Sequence, residues 1–219
     1  MKSRTAQPPG TGPAARNRLQ AALRAHFAER EAGILARLLD AALAADTVAY
    51  ENVDLPPDAR DDALLAAFEE RALIPVRSSR SAAWEDRVLS LAPGERYFMP
   101  GVVRSLLASA RETGRLDPEG AVREVLTQET ATLPAAAAQT GPLASLVAGL
   151  REHAGAYRAE TGLMQAVARQ CGLTLDLHDV IDILVICGIL SPCTHGPVIA
   201  GLSWYEINAC LYWGRHPSA

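Results

Sequence analysis

No apolar run in this chain approaches the roughly 20 residues that a membrane-spanning helix requires. The longest, Val180 to Leu190, is interrupted by Asp182 and Gly188, so no membrane partner is expected. A secretory leader is not expected either, because Lys2 and Arg4 give way to Pro8, Pro9 and Gly10 where an apolar stretch should follow. Aromatic residues are scarce at 5%, and the 49% apolar content falls mainly on alanine and leucine, both strong helix formers. A surplus of basic charge is missing too. The formal net charge is −4, which excludes a protein basic all over but leaves room for a local cationic patch. The catalytic signatures are absent: there is no phosphate loop, no dinucleotide-binding glycine pattern and no G-x-S-x-G turn. An enzyme is therefore the least expected class.

What is present points to a mainly α chain of two small helical units. At 219 residues it can bury a core without staples. Residues 1–17 are rich in Pro, Gly, Thr and Ala, cationic and free of acids, and read as a disordered tail. A first helical domain is expected over 18–128. Leu19, Leu23, Phe27, Ile34, Leu38 and Leu43 recur there at helical spacing, with Gly33 as a candidate break. Asp58 or Asp61 is placed to cap a helix after Pro56-Pro57, and Ser78 or Ser79 to cap another over Ser81–Leu91. Short strands are expected near Leu73–Val76 and Tyr97–Met99, and Gly114 is a plausible C-cap. The Thr-Ala-Thr-Leu-Pro, alanine-run and Gly-Pro stretch of 129–142 reads as a linker to a second domain, 143–219.

In that second domain LMQAVARQCGLTLDLHDVIDILVICGILSP, Leu163 to Pro192, resembles the helix-turn-helix of the winged-helix superfamily. Ala166 and Val167 sit on the first helix, Gly172-Leu173 at the turn, Val180 and Leu184 on the buried face of the second helix, and Gly188-Ile189-Leu190 at the exit into a wing strand. The resemblance implies a short β-hairpin and, at the level of the superfamily, DNA-binding and transcription regulation. The positions that would face DNA argue against that role here. They are Asp176, His178, Asp179 and Asp182, and carboxylates there oppose the phosphate field that dominates such affinity.

Cationic charge is concentrated in the first half. Between Arg71 and Arg115, eight arginines face four acids. Arg77, Ser79 and Arg80, running into a candidate helix start with Arg87 beyond it, form a candidate nucleic-acid or anion site. Solvated arginines around a capped helix are the plainer reading.

All four cysteines fall after residue 170. Without a leader they are expected as reduced thiols in a cytoplasmic protein. Cys187, Cys193 and His195, with Cys210 further on, offer ligands for zinc or another thiophilic metal. No C-x2-C knuckle accompanies them, and buried cysteine also packs as a small hydrophobe. Cys193 is the candidate reactive thiol, since His195 would lower its pKa. Trp204, Tyr205 and Trp213 gather aromatic surface near the C-terminus and suit either a core or an interface to a protein partner or second copy. Three functions follow: a small cytosolic regulator with helix-turn-helix-like units binding nucleic acid or an anionic ligand through its first half, a non-catalytic interaction subunit with structural cysteines, or, least expected, a metal- or thiol-dependent enzyme or sensor.

Overall fold

The computed structural model describes residues 12–76, 83–194 and 203–214. The chain opens with two packed helices, α1 (Pro13–Leu23) and α2 (Glu29–Leu43). Pro13 occupies the first helical turn, where its fixed φ favours the helix and its missing N–H costs nothing. Ala15, Leu19, Ala22 and Leu23 bury one face of α1. The helix thus begins inside the span expected as a tail. The break falls at 24–28 rather than at Gly33, which lies within α2. A Cβ at Gly33 would stand 3.1 Å from the Gln20 side chain, so glycine here serves close helix packing.

One order of elements then occurs twice. In the first half α2 leads to β1 (Thr47–Ala49), a 3-10 turn (Tyr50–Asn52), α3 (Pro57–Glu69), β2 (Ile74–Pro75) and β3 (Arg96–Phe98). The last strand is central, giving the antiparallel order β1-β3-β2 with Tyr97 opposite both Val48 and Pro75. Then α4 (Gly101–Thr113), α5 (Pro118–Thr130) and the single turn α6 (Pro134–Ala137) lead to α7 (Thr140–His153). From α7 the order returns: β4 (Arg158–Glu160), α8 (Thr161–Gln170), α9 (Leu177–Ile186), β5 (Leu190–Pro192) and β6 (Trp204–Ile207), with sheet order β4-β6-β5. The fold is mainly α with two small antiparallel sheets. No helix among the described residues is long and apolar enough to cross a membrane.

Several ends follow from local chemistry. Asp117 caps α5 by accepting from the Gly120 N–H at 2.9 Å, and Asp176 caps α9 by accepting from the His178 N–H at 2.8 Å. Gly114 ends α4 at φ 75°, a conformation glycine adopts at no steric cost. α3 is started by Pro56-Pro57, with no side-chain cap from Asp58 or Asp61.

Two expected boundaries need correction. Within 81–91 the described part contains only a 3-10 turn, Trp84–Asp86. Its groups are engaged elsewhere: the Trp84 N–H donates to Ser191 Oγ at 2.8 Å, and the Asp86 carboxylate accepts from Thr194 Oγ1 at 2.9 Å. The 129–142 stretch is not an extended linker. It holds the end of α5, all of α6 and the start of α7, with Ala136 buried. A single hydrophobic cluster runs from Leu19 to Trp213 through both halves. The two units are repeats of topology that share one core.

Candidate functional site

The halves meet at the C-terminal end of α3. Arg71 takes φ 57°, unusual for a residue with a Cβ. Its Nε donates to Glu206 of β6 at 2.7 Å, and its guanidinium lies over the Phe68 ring. Asn208, fully buried, donates Nδ2–H to the carbonyls of Arg71 and Gly188 at 3.3 and 3.2 Å and accepts from the Cys210 N–H. Cys210 Sγ contacts the Glu70 carbonyl at 3.2 Å. Trp213, only 2% exposed, donates Nε1–H to Glu70 Oε2 at 2.7 Å and packs against His26 and Phe27. Burial works to raise the Glu70 carboxyl, but hydrogen bonds from His26 and Trp213 outweigh it and hold it below its ordinary value.

Trp213, expected as an interface aromatic, is therefore enclosed within its own chain and has no face for a partner. Trp204 and Tyr205 are half-buried on the central strand, opposite Glu160 and Ala159.

The basic segment is also largely turned inward. Lys2 is the chain's one lysine, and arginine's planar fork suits carbonyl and carboxylate acceptors. Arg104 donates to the carbonyls of Leu43 and Ala45, acceptors left over at the end of α2. Arg111 pairs with Asp40, and Arg96 donates to Thr47 Oγ1. Arg87 Nη1 bonds the Pro75 and Val76 carbonyls at 3.2 and 2.8 Å, so the one described member of the candidate anion site is committed to its own backbone. Arg77, Ser79 and Arg80 lie outside the described residues.

The helices that precede the second strand of each repeat, α3 and α9, show a different surface. Asp58, Asp62, Leu65 and Glu69 are exposed along α3 at spacings that share one face. Its one cation, Arg60, points back to the Leu55 carbonyl and the Tyr50 ring. Along α9, His178, Asp179, Asp182 and Ile186 are exposed. Each helix borders an apolar cleft. One of about 580 Å³ lies between α2 and α3, floored by Leu35 and Ala63 and rimmed by Glu31, Asp58 and Asp62. Another of about 300 Å³ lies between α6 and α9, with Asp179 and Asp182 on its rim.

A family model matches residues 17–213. The chain belongs to that family. The match spans both repeats and ends on Trp213, the residue that closes the seam; it carries no activity over to this chain. No curated protein and no solved structure matches.

In this family member all four cysteines are free thiols. Among the described residues no cluster of three or more His, Cys, Asp or Glu side chains could hold a metal ion. His195, the imidazole of the expected Cys187, Cys193 and Cys210 set, lies outside those residues. Cys193 was expected to be activated. Its described surroundings act the other way: burial and then the Glu85 carboxylate push it up to about 11. Burial pushes Cys187 up to about 12 and Cys210 well above its ordinary value.

These raised thiols predict an alkaline limit. Cys187 and Cys210 stay neutral when folded, whereas the unfolded chain ionises them near 9. Their contribution is full below pH 9 and is lost as pH rises towards 12. Each steepens the decline by up to about 1.4 kcal/mol per pH unit. Urea titrations between pH 8 and pH 11, with Cys187→Ala and Cys210→Ala compared with the native chain, check this. An unchanged slope in both variants would contradict it.

Proposed function

We propose that this protein is a non-catalytic interaction subunit built from two winged-helix-like units, in which α3 and α9 present acidic faces to a protein partner. The order helix, strand, helix, helix, strand, strand with the last strand central supports the winged-helix reading in the second half. The first half repeats it with a 3-10 turn in place of one helix. The observation that carries the function is the charge of the two helices that correspond to a DNA-reading helix. A reader of DNA needs Arg, Lys, Asn or Gln there to reach phosphates and base edges, and these faces carry Asp58, Asp62, Glu69, Asp179 and Asp182 instead.

The competing reading assigns nucleic-acid binding to Arg77, Ser79 and Arg80. One assay separates the two: fluorescence anisotropy with mixed-sequence duplex at low and at physiological salt. No binding is expected even at low salt, where contacts made by arginine are strongest. Binding at low salt that is abolished by Arg77→Ala with Arg80→Ala would overturn the interaction reading in favour of nucleic acid.

A further inference from the structure

We infer that the apolar tract over the C-terminal end of α9 binds an amphipathic helix of a partner protein whose polar face carries lysine and arginine. This rests on the reading of the chain as an interaction subunit and names the chemistry of the partner. Ile186, on the last turn of α9, is 67% exposed. It forms a ridge between two clefts. On one side Leu133, Ala136, Leu175 and Ile183 line a cleft of about 300 Å³. On the other, Trp84, Phe98, Met99, Val185 and Leu190 line one of about 450 Å³. Leu133 is itself 50% exposed. Both side chains leave apolar surface in water that a partner could cover. Two clefts flanking a ridge suit a helix that sets apolar anchors one or two turns apart on either side of Ile186.

Charge identifies the polar face of the occupant. Asp179 and Asp182 rim the first cleft and Glu129 the second. Among the described lining residues the one cation is Arg87, which is held on the carbonyls of Pro75 and Val76. His178 lies 3.6 Å from Asp182 but is itself exposed to water. The competing occupants fit less well. A second copy docking through a two-fold axis would set the same patch against itself, Asp179 and Asp182 against their own kind. The chain's own first eleven residues offer Lys2 and Arg4 but no leucine, isoleucine or phenylalanine, and Pro8-Pro9 interrupts any helix.

The test uses the full chain and two fluorescein-labelled synthetic peptides of one apolar pattern, one of leucine and lysine and one of leucine and glutamate. Saturable binding of the leucine/lysine peptide at physiological salt is expected, with none of the leucine/glutamate peptide. Ile186→Asp should weaken binding at least about tenfold, as loss of a central anchor does. Its thermal midpoint should match the native chain, because Ile186 is exposed. Asp179→Asn with Asp182→Asn should weaken binding about threefold to tenfold and flatten its salt dependence. Glu112→Gln with Glu152→Gln, exposed on α4 and α7 and lining neither cleft, should leave it unchanged. The inference is overturned if the α9 variants bind like the native chain, if the two peptides bind alike, or if the Glu112 and Glu152 variant loses as much binding as the α9 variants. It is also overturned if sedimentation shows a native dimer that Ile186→Asp dissociates. Any of these with the duplex assay still negative removes this site and leaves the interaction reading standing, whereas duplex binding through Arg77 and Arg80 removes that reading itself.

Discussion

Trp213→Ala is expected to lower the unfolding free energy by about 3–5 kcal/mol, the range for deleting a buried large aromatic side chain. Three losses combine. The indole leaves a cavity between Phe27 and His26. The Glu70 carboxylate loses the Trp213 Nε1–H donor. The last turn, held by Cys210 and Leu211, loses its outer cover. Trp213→Phe separates these terms, since it keeps most of the packing and removes the hydrogen bond. It should cost less, about 1–3 kcal/mol for a donor withdrawn from a charged acceptor. It should also move the acid limb. Glu70 lies below its ordinary 4.5 in the folded chain, so its contribution is full above that value and is lost as pH falls through the folded one. With one donor gone the folded value moves up towards the ordinary one, so the contribution should be smaller and its loss complete at a higher pH. Guanidinium unfolding curves at pH 7 and pH 4 measure both effects. A Trp213→Ala variant within 1 kcal/mol of the native chain, on the scale of ordinary surface changes, would contradict the arrangement.

Gly188→Ala should destabilise by about 2–5 kcal/mol, far more than a methyl group usually does. Gly188 takes φ 70°, and a Cβ there would stand 2.5 Å from Pro100 Cβ and 3.2 Å from the Gly101 nitrogen. The left-handed conformation costs about 1–2 kcal/mol for any residue with a Cβ, and forcing a well-packed contact apart costs about 1–3 kcal/mol more. Gly172 provides the control. It has nearly the same φ, 69°, with nothing within 4 Å of an added Cβ. Gly172→Ala should therefore show the conformational part alone, about 1–2 kcal/mol. The difference between the two urea midpoints measures how tightly the first half's Pro100-Gly101 turn is pressed onto the exit of α9. Equal midpoints would show that the halves do not approach so closely.

Helices were legible wherever a period of apolar residues coincided with a terminal signal. The Gly114 stop falls where the sequence places it, and α9 buries Val180 and Leu184 as expected, because capping and helical spacing act locally. The segment before β3 was not legible as irregular. Ser81–Leu91 looks like a capped helix, yet the Trp84 N–H is claimed by Ser191, more than a hundred residues away. The surroundings of Cys193 were not legible for the same reason. His195 is near in sequence, but Glu85 is near in space, and the Glu85 carboxylate helps raise the thiol. The arginine count of the first half was legible and the acceptors of Arg71, Arg87, Arg104 and Arg111 were not, since only the folded chain brings them together. The acidic face of α9 was readable because helical spacing fixes which residues share a side. The clefts beside it were not, because Leu133 and Phe98 arrive from separate parts of the chain.

The seam at Glu70 and Arg71 also sets an order of events during synthesis. Its partners Glu206, Asn208, Cys210 and Trp213 are made more than a hundred residues later. At roughly 5–20 residues per second, the 142 positions from Arg71 to Trp213 take roughly 7–30 s to translate. Throughout that interval the nascent first unit holds a half-made junction, with the end of α3 wet and Phe27 uncovered. The first unit therefore cannot be completed before Trp213 has been made. Loss of residues 206–213 would be felt first at the end of α3, more than a hundred residues earlier.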